Sequence, residues 1–285
     1  MERVAQPVLS PAGVNPFETT LSYVWFPVNR DFMLAVGSGP WAGGRICGWI
    51  RRMQHRSKKS VMALTADLVA RVERLEPDPG PTPGQHYLTE ADYDSLAQEL
   101  IAQNGDKPFW VFAYGSLIWK PECTMTEHRR ATAHGWHRSF CMKLTRWRGT
   151  PDCPGLMMAL DRGGRCDGVI GRLPDDDKLP QLGRLLRREI DQRHDIGTFR
   201  WISVTAGAEK LKAFTFYAGP RAHYYTGKLP VDDVAKTLAK AAGHWGSCAN
   251  YLYQTITKLE EYGIHDAGLW RLQEKVAKEI AALGR

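Results

Sequence analysis

Strand-like segments crowd one stretch of this chain and helix-like segments the next. Residues 109–113, 137–145, 155–161, 167–173, 199–206 and 212–218 carry the short apolar runs or two-residue alternation of strands. Gly163-Gly164 reads as a turn joining two of these segments into a hairpin. One helix interrupts the series, over 175–190, where Leu182, Leu185, Leu186 and Ile190 recur at three and four. After Pro230 the pattern is helical in three stretches: 231–242, about 247–262, and 266–283. A doubly wound parallel sheet needs strands and helices to alternate. This order excludes that architecture and points to an α+β chain, a mixed sheet or small β-barrel with flanking helices.

The chain ahead of the strands divides in two. Over 62–105 it reads as a helical lead-in to a main domain spanning 106–285. Thr65 is placed to cap a first helix with Leu68, Val72 and Leu75 on one stripe. "PDPGPTPG" (77–84) is a stiff connector, since alternating prolines forbid a helix. Thr89 then caps a second helix with Asp92 in the capping-box position, and Tyr93, Leu96, Leu100 and Ile101 form its apolar side. Residues 1–61 hold Pro and Gly clusters and a basic run but no sustained period. They are expected to be poorly ordered. Of three readings (a targeting leader, a flexible arm, or upstream sequence from a misassigned start), the last fits best.

Charge narrows the partners. The excess of seven positive charges invites a nucleic-acid reading, but residues 1–61 hold eight Lys/Arg against three acids. The remaining chain carries 30 basic and 28 acidic residues, without the excess that phosphate backbones select. No nucleic-acid partner is expected. No apolar run approaches the ~18 residues of a membrane span, so no membrane partner is expected either. The six cysteines form no C-x-x-C pair, which argues against a zinc cage, and Glu2 and Pro7 interrupt the place of a secretory apolar core. The expectation is a cytoplasmic chain with free thiols and no bound metal.

Chemistry concentrates at "VFAYGSLIWKP" (111–121), where an apolar strand breaks into Gly115-Ser116 and then resumes apolar character. Glycine there allows a close approach, and successive N–H groups can converge on an anion or polarised carbonyl. A plain turn has the same signature. Glu189 is the second feature. It lies four residues after Leu185 and three after Leu186, near an apolar stripe. Either Arg187 and Arg188 cover its carboxylate as a surface ion pair, or the group turns into a cavity as a usable base. Ser116 lacks the Gly-x-Ser-x-Gly setting of a nucleophile, so its hydroxyl bonds the substrate or the turn. His134 and His137, on a strand, point to opposite faces and make a poor metal pair. Cys123, Cys141 and Cys248 read as small buried hydrophobes, Asp161 and Asp167 as solvated residues flanking the turn. Tyr251 is either a pocket wall or a packed core residue.

Taken together, "VFAYGSLIW" (111–119), "HGWHRSFCM" (134–142), "PGLMMALDRGGRCDGVIGRL" (154–173), "LLRRE" (185–189) and "AGHWGSCANYL" (242–252) give a sequence that resembles the ChaC-like gamma-glutamylcyclotransferases. The resemblance implies a gamma-glutamylcyclotransferase-like mixed β-barrel with flanking helices over roughly 106–280. It implies a monomeric enzyme without metal or organic cofactor that cyclises the gamma-glutamyl group of glutathione, giving 5-oxoproline and Cys-Gly. By the same likeness Glu189 matches the catalytic carboxylate, and Ala113, Tyr114, Gly115, Ser116, Leu117 and Ile118 match the substrate-binding loop. The rival expectations are the same reaction on other gamma-glutamyl amines or dipeptides, and a catalytically silent regulator of cation transport. The chain departs from the family pattern twice. "IDQRHDIGTFRW" (190–201) replaces a shorter Gly-x-Tyr segment, and Trp245, Cys248 and Asn250 stand where Ser, Asn and an acid are usual.

Overall fold

The computed structural model describes residues 61–81, 83–219 and 224–284. The expectation for the segment ahead of residue 61 falls outside these. Helices α1 (Ala66–Val72) and α2 (Glu90–Asn104) come first, capped by Thr65 and Thr89, the latter in a reciprocal capping box with Asp92. Strand β1 (Trp110–Ala113), a short 3-10 turn at Ser116–Ile118, and strands β2 (Glu127–Leu144) and β3 (Gly155–Arg172) follow. Then come helix α3 (Lys178–Glu189), strands β4 (Phe199–Ala206) and β5 (Glu209–Phe216), helix α4 (Val231–Leu238), and the two-residue strands β6 (Ala242–Gly243) and β7 (Gly246–Ser247). Helices α5 (Cys248–Glu261) and α6 (Ala267–Leu283) close the chain.

Strands β1 to β5 form a closed barrel in the order β1-β3-β2-β4-β5. Closure comes from β5 lying parallel to β1, with Val111 opposite Phe214, while every other pairing in it is antiparallel. The barrel is therefore mixed, as its sequence order implied. Closing the sheet removes its open edges, which unpaired would template aggregation. β1 is buried along its whole length, and its alternate side chains enter two cores. Val111 and Ala113 join Phe214 and the helical residues Leu182, Leu185, Leu252 and Ile256. Trp110 and Phe112 join the strand residues Leu160, Ile170, Ile202 and Val204.

The Gly163-Gly164 hairpin is not there. Residues 155–172 run as one strand paired with β2 along nearly its full length. The ladder shifts between His134 and Trp136, and the glycines on both strands there, Gly135, Gly163 and Gly164, all have positive φ. A left-handed backbone at Gly-Gly serves a β-bulge as well as a turn, and here it makes the bulge that bends a long ribbon into a barrel wall. Leu75 also departs from its expected stripe. Helix α1 ends at Glu73 with an extended backbone, leaving Leu75 exposed.

Arg138, on β2, fastens the end of β1. Its Nε donates to the Tyr114 carbonyl at 2.7 Å, its Nη2 donates to the Asp167 carbonyl on β3, and its Nη1 pairs with Asp266 at 2.6 Å. Asp266 in turn caps α6 through the amides of Gly268 and Leu269. The guanidinium side chain is 5% exposed. Replacing it with Met leaves a carboxylate and two carbonyls without their donor. Arg138→Met is expected to lower stability by about 3 kcal/mol, read from urea unfolding midpoints at unchanged slope.

Candidate active site

The carboxylate of Glu189 and the turn after β1 meet at one cavity of about 1080 Å³, lined among others by Tyr114, Ser116, Met158, Glu189 and Tyr251. Helix α3 explains the first of these. Its buried leucines Leu182, Leu185 and Leu186 dock it on the core, and the i, i+3 and i, i+4 spacing carries Glu189 toward the same side. Glu189 is the last helical residue, since Ile190 is extended. A carboxylate at a helix C-terminus opposes the helix dipole at a cost of about 0.3–1 kcal/mol. Arg188, the adjacent residue, ion-pairs with it and offsets this. Arg187 instead turns to Glu90 and Asp94. The two alternatives posed by the sequence thus coexist: the carboxylate has an arginine partner and still faces the cavity with its side chain 20% exposed.

The turn residues divide by role. Tyr114 and Ser116 line the cavity, whereas the side chains of Ala113, Leu117 and Ile118 belong to the hydrophobic core. Those three, and Gly115, are not among the residues lining the cavity, so of the expected substrate-binding loop only Tyr114 and Ser116 reach it. The turn is closed by Ile118 donating to the Gly115 carbonyl and Trp119 and Lys120 to that of Ser116. Gly115 fits because a Cβ on it would lie 2.8 Å from the Tyr251 hydroxyl oxygen. Tyr251 is both core and wall: it is 1% exposed, yet it borders the cavity. Its hydroxyl is hydrogen-bonded by the amides of Met158 and Ser116, which favour the phenolate along with Arg148 and Arg188, but burial outweighs them and pushes its ionisation up. Burial likewise pushes the Tyr114 phenol up, so both tyrosines stay neutral donors.

Further residues complete the cavity wall, and Arg148 among them gave no sequence signal. Arg148 and Trp119 form part of the wall, with Arg148 reached only through the irregular loop after β2. Asp191 and Asp195 form another part. Asp191 is pushed up by burial and by the neighbouring Asp195 carboxylate, with which it shares a hydrogen bond. The hydroxyl of Tyr224 donates to Asp195 at 2.8 Å. This carboxylate pair lies in the 190–201 segment, where the resemblance implies a shorter Gly-x-Tyr stretch. Trp245, another departure, is exposed at the cavity wall with its ring 6.0 Å from that of Trp147. Cys248 is fully buried at the start of α5, with burial pushing its thiol up to about 11. The five described cysteines are free, and the described residues hold no cluster of three or more His, Cys, Asp or Glu suited to a metal. None of the described helices is long and apolar enough to cross a membrane.

A closed mixed barrel with flanking helices and a large cavity lined by Glu189, Tyr114 and Ser116 is an architecture suited to holding a small molecule. A family model described as ChaC-like protein matches residues 109–279, and the chain belongs to that family. The glutathione-specific gamma-glutamylcyclotransferase of Escherichia coli K12 is 36% identical over 187 residues, 66% of this chain and 80% of that protein. Gamma-glutamylcyclotransferase 2-3 of Arabidopsis thaliana is 31% identical over 175 residues, 59% of this chain and 87% of that protein. A crystal structure of the glutathione-specific gamma-glutamyl cyclotransferase from yeast superposes with a TM-score of 0.55 at 22% identity, over 61% of this chain and 97% of that one, a likeness of fold.

Proposed function

We propose that the protein is a gamma-glutamylcyclotransferase that cyclises the gamma-glutamyl group of glutathione. The observation that carries this reading is the convergence of Glu189 and the Tyr114–Ser116 turn on one cavity. At neutral pH the substrate's alpha-amine is protonated and cannot attack. The Glu189 carboxylate takes that proton, and the amine lone pair attacks the gamma-carbonyl carbon, closing a five-membered ring. Charge developing on the carbonyl oxygen falls to main-chain donors of the turn other than those of Ser116, Ile118, Trp119 and Lys120, which already bond Tyr251 and the turn's own carbonyls, each free donor contributing about 3 kcal/mol. Collapse of the tetrahedral species breaks the bond to the cysteinyl nitrogen, and the protonated Glu189 returns its proton to that nitrogen. The second proton, shed by the ring nitrogen, passes by the same carboxylate to the departing amine, so that Cys-Gly leaves as its ammonium. The products are 5-oxoproline and Cys-Gly. Tyr114 and Tyr251 wall the site and hold the flexible chain curled, which is a proximity effect.

Glutathione as the preferred substrate is supported by the glutathione specificity of the Escherichia coli relative, 36% identical over 187 residues. The test is incubation of purified protein with glutathione, gamma-glutamylalanine and gamma-glutamylcysteine in parallel, with 5-oxoproline quantified by chromatography. The expected result is release of 5-oxoproline and Cys-Gly from glutathione at a kcat/KM at least tenfold above the others. Equal rates would shift the assignment to gamma-glutamyl amides in general, and no 5-oxoproline from any of them would end it.

A further inference from the structure

Arg148 is a buried cation whose charge Glu73 favours without forming an ion pair with it. The residue is 7% exposed, and its guanidinium reaches the cavity wall. Its Nη1 donates to the Ser247 carbonyl at 2.9 Å. The guanidinium carbon lies 5.2 Å from the Tyr251 ring centre and 5.8 Å from that of Trp119. Among the described residues no carboxylate forms an ion pair with it. Glu73 is spent on the amide and hydroxyl of Ser247, and Glu189 is held by Arg188. A desolvated guanidinium without a direct ion-pair partner is costly, and an anion entering the cavity would offset that cost.

The surrounding chain fixes this residue in place. The Arg148 carbonyl accepts from Cys248 Sγ at 3.1 Å. A Cβ on Gly155 would lie 2.2 Å from that carbonyl oxygen, so the loop closes only because Gly155 lacks a side chain. Two rings, a carbonyl and a thiol therefore aim one guanidinium at the cavity before any ligand arrives. Such preorganisation suits recognition of a planar carboxylate by paired N–H groups.

We infer that Arg148 is a carboxylate-binding residue of this cavity and takes the alpha-carboxylate of the gamma-glutamyl group. The inference rests on the cyclotransferase reading and names the part of the substrate that the turn and Glu189 leave unheld. Position selects this carboxylate over the distal glycine one. The Tyr251 hydroxyl touches the Ser116 amide, and Arg148 lies over the same Tyr251 ring, so the guanidinium is a ring's length from the turn. The alpha-carboxylate sits on the carbon that bears the attacking amine and stays beside the reacting atoms throughout. The glycine carboxylate lies beyond the scissile bond and a whole cysteinyl residue. Held by its carboxylate, the amine is oriented toward both Glu189 and the carbonyl.

The test crosses enzyme and substrate. Decarboxylated glutathione, 4-aminobutyryl-Cys-Gly, keeps the amine and the carbonyl and would cyclise to 2-pyrrolidinone. Native protein is expected to lose about 10²-fold in kcat/KM on this analogue relative to glutathione. Arg148→Met is expected to lose a similar factor on glutathione and to turn over the analogue within about threefold of native, with Arg148→Lys intermediate on glutathione. A purely structural Arg148 would slow both substrates equally, and a variant that still prefers glutathione as strongly as native overturns the inference. Thermal melts followed by circular dichroism check folding. Should the Met variant not fold, Arg148→Lys and Arg148→Gln carry the same comparison. Calorimetric binding of 5-oxoproline and 2-pyrrolidinone to native and variant protein needs no turnover. Arg148-dependent preference for 5-oxoproline without turnover of glutathione leaves the carboxylate site standing and sinks the cyclotransferase reading. Turnover with an unchanged preference in the variants does the reverse, and failure of both sinks both.

Discussion

Glu189→Gln is expected to cut kcat on glutathione by about 10²–10⁴-fold, with KM changed by no more than a few fold. The amide keeps the shape of the side chain and can still accept a hydrogen bond, but it cannot take the alpha-amine's proton. The effect therefore belongs to the chemical step rather than to binding. A structural cost accompanies it, because Arg188 loses its ion-pair partner while its side chain is only 11% exposed. That loss is about 1–3 kcal/mol, so melting curves have to be read beside the rates. Glu189→Asp keeps the charge and withdraws it by one methylene, and its rate should fall between the two. The internal control is Asp191, another carboxylate bordering the cavity. Burial and Asp195 push its ionisation up from the usual carboxylate range. If Asp191→Asn abolishes turnover and Glu189→Gln does not, the base has been misassigned.

The order of strands before helices was readable because each segment announces its own period. Helix α3 needed only Leu182, Leu185, Leu186 and Ile190 in register, and β1 only its unbroken apolar run. The first half of β2 was not readable. In "EHRRATAHGW" the inward phase runs Glu127, Arg129, Ala131, Ala133, two charged residues and two small ones, so alternation with the polar His128, Arg130, Thr132 and His134 is faint. The bulge hid the continuity of β3 because Gly-Gly carries one signal for two backbone outcomes. In the cavity, the Tyr114–Ser116 turn and Glu189 were legible as motifs. Arg148 and Arg138 were not. A single arginine has no periodicity, and the value of Arg138 lies in a partner 128 positions away. Long-range polar contacts are properties of the folded topology, and only the fold reveals which arginine is buried.

Gly115→Ala carries the second large effect, and its cause is one oxygen atom. The new methyl would stand 2.8 Å from the Tyr251 hydroxyl, while its next neighbours, Met158 Cε and Tyr251 Cζ, lie at 3.8 and 3.9 Å, ordinary contact distances. The Tyr251 ring has no room to yield, being packed edge-on against Trp119 and Phe140. The turn must then move, shifting the donors it presents to the cavity along with the Ser116 amide that bonds the Tyr251 hydroxyl. A displaced oxyanion donor costs about 10²–10³-fold in kcat, and the overpacking about 1–3 kcal/mol of stability. Tyr251→Phe removes the obstructing atom along with a hydrogen bond to that amide. In Gly115→Ala/Tyr251→Phe the methyl has space, so the melting temperature should return to that of Tyr251→Phe alone and the rate should match it. The pair is then strongly non-additive, as expected of groups in direct contact. Losses that multiply in both stability and kcat would mean the turn is held by something other than this contact, and Gly115 would need another reason to lack a side chain.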